Sequence, residues 1–263
     1  MDMKIVTLTT DWGNDGFYAA SVKGKLLSLM PDVQVVDISH NVKKFDVLDA
    51  YFKLKNSFHY FPKGSVHIVG VNSIESSETP HILVGYQNHY FICADNAIMA
   101  YVIGDDKPDF IIDINFNSDS DLFNFPCRDL FVKIAAEIFS GTNVDELGER
   151  KNSLNQSNYL PEPAVFEDRI SGSIIYIDNY SNVFTNISRE LFMRERKSRS
   201  FKIELLGTYS INNISTSYLD VMESDFVAIF NDLNLLELAI NRGELAKLLS
   251  LELGSNVQIH FDK

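Results

Sequence analysis

The residues Thr9-Thr10-Asp11-Trp12-Gly13-Asn14-Asp15-Gly16 follow the apolar, β-branched run Lys4-Ile5-Val6-Thr7-Leu8 and precede a segment of helical periodicity that ends near Met30. A run of that kind reads as a buried strand, and the Gly/Asn/Asp cluster after it as the loop over the strand's carboxyl end. In open α/β sheets ligands collect in that crevice. Two carboxylates and two glycines there point to a polar site for hydroxyl or cationic groups rather than for phosphate. The structural alternative is a βα loop in which Asp15 caps the next helix.

Tyr18, Val22, Leu26 and Leu29 give that helix an apolar stripe, and Pro31-Asp32 stops it. Val33 to Ile38 is a second strand, so strand, helix and strand form a βαβ unit with parallel strands and a right-handed crossover. A helix from Asp46 to about Ser57, a strand from Ser65 to Val71 and a hairpin turning at Gln87-Asn88 follow. Phe110 to Ile114 reads as a strand, residues 118–124 as exposed, and Arg128-Asp129 as the start of a helix ended by Gly141. The polar loop Asn72 to Pro80 and the loop Ala94-Asp95-Asn96 stand at strand ends and can converge with the Asp11 loop. From Glu149 to about Pro163 the composition turns to Asn, Ser, Lys and Pro, which marks a domain boundary. Beyond it, strands at Gly172–Ile177, Val183–Thr185, Phe201–Leu205, Asp225–Phe230 and Asn256–Phe261 are interrupted by a helix over Leu235–Leu249. The expected fold is α/β: an N-terminal α/β domain (1–160) with a largely parallel sheet, and a smaller C-terminal β-rich, barrel-like domain (161–263).

The formal net charge of −13 disfavours an extensive phosphate-backbone interface, which needs Lys and Arg to neutralise the anion, so nucleic acid is not an expected partner. No signal-peptide pattern opens the sequence and no apolar run approaches membrane-spanning length, so a cytoplasmic protein without a membrane partner is expected. Cys93 and Cys127, the only cysteines, form neither a paired metal motif nor a disulfide framework, and buried free thiols are the default for both.

Several local patterns combine. They are Thr9-Thr10-Asp11-Trp12-Gly13 with Lys23-Gly24, Val36-Asp37-Ile38-Ser39-His40, Phe61-Pro62-Lys63-Gly64-Ser65-Val66-His67, Ala94-Asp95-Asn96 and Phe125-Pro126-Cys127-Arg128-Asp129. Asp178-Asn179-Tyr180-Ser181-Asn182-Val183-Phe184-Thr185-Asn186 and Phe230-Asn231-Asp232 continue the series. In this order, across nearly the whole chain, they resemble the S-adenosylmethionine hydroxide adenosyltransferases, which share a fold with the fluorinases and chlorinases that use the same substrate. The resemblance implies substitution at ribose C5′ of S-adenosylmethionine, with methionine leaving and water giving adenosine. It also implies no metal or other cofactor, and a homotrimer with the substrate held between neighbouring subunits.

By the same resemblance Asp11 binds the ribose hydroxyls, Asp178 makes a second ribose contact, Tyr180 is an aromatic neighbour of the ligand and Asn182 meets the adenine edge. Tyr218 and Asn241 fall near two further adenine contacts, with a gap of one residue in the match. Phe45 takes a position where the halogenases pack a ring on the ribose, the alternative being core packing. His40 closes its strand as the family's histidine does, and a buried, hydrogen-bonded structural role is expected of it ahead of that of a proton carrier. Asn182 and its neighbours would also make an acceptable hairpin turn.

The water-using enzymes carry an Asp-Arg-His set around the nucleophile, and here all three are absent from their places. Asn72 stands for the Asp, the Arg is missing near Thr79-Pro80, and Pro126 replaces the His. The expected catalytic positions are therefore Asn72, Cys127 and Arg128, with slow or altered hydrolysis because an amide and an imino ring cannot take a proton near neutral pH. The Cys127 side chain narrows the halide pocket and disfavours halogenation; Arg128 and Asp129 can equally form a structural ion pair. The competing readings are a binding protein that keeps the adenosine pocket without turnover, and a metal-dependent phosphohydrolase using Asp11 and Asp15.

Overall fold

The computed structural model describes residues 3–115, 124–156, 162–205 and 209–262. The chain divides into two compact units, Met1–Asn158 and Tyr159–Lys263. The expected exposed segment at 118–123 lies outside the described residues, whereas Asn124 is exposed.

The first unit runs β1 (Ile5–Thr10), α1 (Tyr18–Leu29), β2 (Gln34–Ser39), α2 (Val47–Lys55), β3 (Val66–Gly70), β4 (His81–Tyr86), β5 (His89–Ala94), α3 (Ile98–Ile103), β6 (Phe110–Ile114), α4 (Val132–Ser140) and β7 (Gly148–Arg150). Its seven-stranded sheet has the order β2-β1-β3-β5-β4-β6-β7. The β2-β1-β3-β5 half is parallel and carries the βαβ crossover, while β4, β6 and β7 add antiparallel partners. Every residue of β1 and β3 is buried because helices cover both faces. On one face Val22, Leu26, Ile134 and Ala135 pack against Val6, Leu8 and Ile68. On the other, Ala50, Leu54, Met99 and Val102 pack against Val69, Val84 and Phe91. Full burial of each large aliphatic side chain is worth about 1.5–3 kcal/mol. The central strands are thereby held rigid, and the loops leaving their carboxyl ends start from fixed points.

Two local expectations change. Asp15 does not cap α1: the cap position is Phe17 and no side chain bonds there. Helix α1 begins only after the exposed turn at residues 14–17, so Tyr18 and Leu29 sit exposed at the ends of the stripe while Val22 and Leu26 bury. Asp46 does cap α2, accepting the amides of Leu48 and Asp49 at 3.0 Å. The helix expected at Arg128 starts one residue earlier, as a π-helical turn over Cys127–Phe131 that leads into α4, and Gly141 ends it at φ +88°.

The second unit comprises β8 (Ala164–Val165), β9 (Arg169–Ile177), β10 (Val183–Ser188), α5 (Arg189–Arg196), β11 (Phe201–Leu205), β12 (Tyr209–Ile211), β13 (Phe226–Phe230), β14 (Leu235–Ile240), α6 (Leu245–Leu248) and β15 (Asn256–Phe261). The antiparallel order is β12-β11-β15-β9-β10-β14-β13, with β8 on β9. The end strands β12 and β13 also touch, so the sheet nearly closes as a barrel around Ile170, Ile174, Val183, Phe192, Ile203, Leu238 and Ile259.

The helix expected over Leu235–Leu249 is a correction: residues 235–240 form strand β14, and only Leu245–Leu248 is helical. Leu, Glu and Ala favour a helix in isolation. Here Leu238 pairs with Val183 on one side and with Ala228 on the other, and pairing on both edges overrides that local preference.

Candidate active site

Three loops at the carboxyl ends of the parallel strands enclose a cavity of about 460 Å³ in the first unit. Asp11 and Trp12 follow β1, Asn72, Ser73 and Ile74 follow β3, and Lys44 and Phe45 precede α2; Phe125 and Pro126 close it from the π-helical turn. Asp11 Oδ2 accepts the amide of Phe45 at 2.8 Å, and its other oxygen accepts no hydrogen bond among the described residues. Phe45 is 71% exposed with φ +61°, so the core-packing alternative does not hold for it.

Trp12 forms the floor. Its ring lies 5.1 Å from Phe125 and stacks on His40 at 6.1 Å. A Cβ at position 70 would come within 2.5 Å of that ring, so the backbone there can approach only as glycine. His40 is buried with Nδ1 2.7 Å from Thr10 Oγ1 and Nε2 3.1 Å from the Asp37 carboxylate, the structural role expected of it.

The three expected catalytic positions part company. Asn72 lines the cavity with φ +44°, and its carbonyl accepts Asn96 Nδ2 at 3.1 Å. Cys127 is fully buried beneath it; burial pushes its thiol up to about 12, so it stays protonated near neutral pH. Arg128 turns away to a bidentate pair with Asp129, 2.7 Å on both arms, with its guanidinium 5.4 Å from the Phe125 ring centre. Ser73, which sequence reasoning passed over, lines the cavity and accepts the Cys127 thiol at 3.6 Å. Its signal was its place beside Asn72 in a polar loop at a strand end.

In the second unit one turn gathers three of the expected ligand residues. Asp178 Oδ1 accepts the amides of Tyr180 and Asn182 at 2.8 Å, and Oδ2 accepts Asn182 Nδ2 at 3.1 Å. Asn182 is thereby fixed and nearly buried, while the Tyr180 ring stands 73% exposed. Asn241 is also nearly buried, and its amide donates to the Val221 carbonyl at 3.0 Å. Tyr218 donates its hydroxyl to Glu237, which also accepts Asn231 Nδ2 at 3.1 Å. Burial raises the Glu237 carboxyl above its ordinary range and raises the Tyr218 phenol as well. Glu237 was missed because its stretch reads as helix.

Residues 6–148 match the family model described as SAM hydroxide adenosyltransferase N-terminal domain, and residues 172–258 match that of the C-terminal domain. The chain belongs to the SAM hydroxide adenosyltransferase family. A relative from Methanocaldococcus jannaschii named (R)-S-adenosyl-L-methionine hydrolase is 25% identical over 98% of this chain and 96% of its own. One of the same name from Salinispora tropica is 24% identical over 97% of each. The solved structure of an uncharacterized conserved protein from Thermotoga maritima superposes with a TM-score of 0.87 at 25% identity, covering 97% of this chain and 99% of that one. Among the described residues no helix is long and apolar enough to cross a membrane, and no group of three or more His, Cys, Asp or Glu side chains is placed to hold a metal ion. This adenosyltransferase cavity therefore presents one open carboxylate oxygen, an aromatic floor and a polar rim that includes Lys44.

Proposed function

We propose that the chain splits S-adenosylmethionine by attack of water at ribose C5′, giving adenosine and L-methionine. The observation that carries this reading is the Asp11 carboxylate. Held by the Phe45 amide through one oxygen, it keeps the other for vicinal ribose hydroxyls beside an aromatic floor. Relatives over nearly the whole length bear the hydrolase name. In the second unit, Asn182 and Tyr180, braced by Asp178, suit the adenine edge and face.

The water oxygen forms its bond to C5′ as the C5′–S bond breaks, and the electron pair leaves on the methionine sulfur. The surplus proton passes from the new hydroxyl to bulk water. A sulfonium needs no acid to leave, so the protein's task is to orient and desolvate. With Asn72 and Pro126 where the resemblance implies Asp and His, no positioned base assists, which costs about 10²–10⁴-fold. We propose a slow enzyme, working as a homotrimer without a cofactor. Incubating pure protein with S-adenosylmethionine and following adenosine and methionine by chromatography, with and without a chelator, tests this. Sedimentation equilibrium tests the trimer.

Asn72 and Pro126 also favour a second reading, a protein that binds adenosine or S-adenosylmethionine without turnover. Binding by calorimetry with no adenosine formed would select it; no heat with either ligand would remove both.

A further inference from the structure

The loss of the acid-base set leaves open what holds the attacking water. Three successive carbonyls at the end of β3 are tied down by side chains from elsewhere. Asn96 Nδ2 donates to the Val71 and Asn72 carbonyls at 3.0 and 3.1 Å, and His81 Nε2 donates to that of Ser73 at 2.9 Å. His81 is itself buried against the Phe131 ring, 4.9 Å between centroids. The loop is thus fixed residue by residue, and Ser73 is half-buried on the cavity wall.

From below, the fully buried Cys127 donates its thiol to the Ser73 hydroxyl at 3.6 Å. Its sulfur is held close to Gly70, 3.1 Å from where a Cβ would stand. A serine hydroxyl has two acceptor lone pairs and one donor hydrogen. Cys127 uses one lone pair, and among the described residues nothing uses the hydroxyl hydrogen.

We propose that Ser73 is the residue that positions the attacking water, its hydroxyl oriented by the Cys127 thiol from beneath and its backbone held by His81 and Asn96. The inference rests on the hydrolytic reading and names the group that replaces the missing set. Ser73 accepts one O–H of the water, which aims an oxygen lone pair at C5′. It takes no proton: the oxygen–C5′ bond forms, the C5′–S pair departs with methionine, and the extra proton goes to bulk water. Cys127 acts through Ser73 and touches no substrate.

Ser73→Ala and Ser73→Thr test this on the full chain, with adenosine formation and adenosine affinity measured separately. Ala should lower kcat by about 10- to 100-fold, the range for a lost orienting contact, with KM and adenosine Kd within about twofold. Thr, which restores the hydroxyl, should return most of the rate. The infrared S–H stretch of Cys127 should move to higher frequency in the Ala variant and return in Thr, and Cys127→Ala should lower kcat less than Ser73→Ala. An Ala variant with wild-type kcat overturns the proposal while leaving the hydrolytic reading intact. So does one whose kcat loss is matched by an equal rise in adenosine Kd. A wild-type protein that makes no adenosine removes the reading and the proposal with it.

Discussion

Asp11 and Phe45, thirty-four residues apart, are joined by a 2.8 Å hydrogen bond from the Phe45 amide to Asp11 Oδ2. The bond fixes the carboxylate plane and holds an exposed phenylalanine at φ +61°, a conformation that costs a non-glycine residue energy. Asp11→Asn should therefore keep the fold yet weaken adenosine binding. Losing a charged acceptor for a ribose hydroxyl costs about 1.5–3 kcal/mol, or roughly 10- to 150-fold in Kd. Calorimetry with adenosine measures it, and an unchanged Kd would remove Asp11 from the ribose site.

A second expectation concerns acid. Thr7 Oγ1 lies 2.7 Å from His67 Nδ1, and His67 Nε2 lies 3.1 Å from His89 Nδ1, a chain packed among Phe58, Phe61 and Phe91. Burial, then the charge of His89, drives His67 from 6.5 down to about 3. Above 6.5 the ring is neutral folded and unfolded, so it gives no pH dependence. Below 6.5 the unfolded chain binds a proton that the folded chain refuses, so stability falls as pH drops, until the folded ring protonates near 3. The slope is about 1.4 kcal/mol per pH unit from this residue. Urea midpoints between pH 7 and 4 should show it, and His67→Gln, though less stable at pH 7, should flatten it.

How far the sequence discloses this protein depends on whether a signal is local. The buried run of β1, the helix after Asp46 and the hairpin at Gln87-Asn88 each follow from a few neighbouring residues, and the structure has them all. Leu235–Ile240 is otherwise: its Leu/Glu/Ala composition favours a helix, and only pairing with one strand 47 to 55 residues upstream and another 6 to 14 residues upstream makes it a strand. Asp11 is legible because a strand end and a polar cluster coincide. Ser73 is not, because its partners Cys127 and His81 come from distant segments. Asn241 reads like a ligand residue, and the Val221 carbonyl that takes one hydrogen of its amide is a contact no spacing discloses.

Glu237 links sheet and loop in the second unit. It is 3% exposed and accepts from both Tyr218 and Asn231. Glu237→Leu would strand both donors at about 1–3 kcal/mol each, whereas Glu237→Gln keeps one acceptor oxygen and should cost less. Thermal melting should rank wild type above Gln and Gln above Leu. A Leu variant as stable as wild type would show that Tyr218 is free to turn elsewhere.

Trp12 is the single tryptophan of the chain, and it floors the cavity. Its emission therefore reports on that cavity alone. Adenosine seated over Asp11 and Trp12 should change the intensity and position of the emission, saturating with the same Kd as calorimetry. Asp11→Asn should shift the titration to higher concentration without altering the spectrum of the free protein. Gly70→Ala should alter the free spectrum instead, because the added Cβ would lie 2.5 Å from the indole and 3.1 Å from Cys127 Sγ. Cys127 is fully buried whereas the indole has open space on its cavity side, so the ring must tilt into the cavity, and such overpacking costs typically about 1–3 kcal/mol. Adenosine affinity and melting temperature should fall together in that variant. If adenosine binds and leaves Trp12 emission untouched, the nucleoside sits elsewhere, and the cavity over β1 and β3 is not its site.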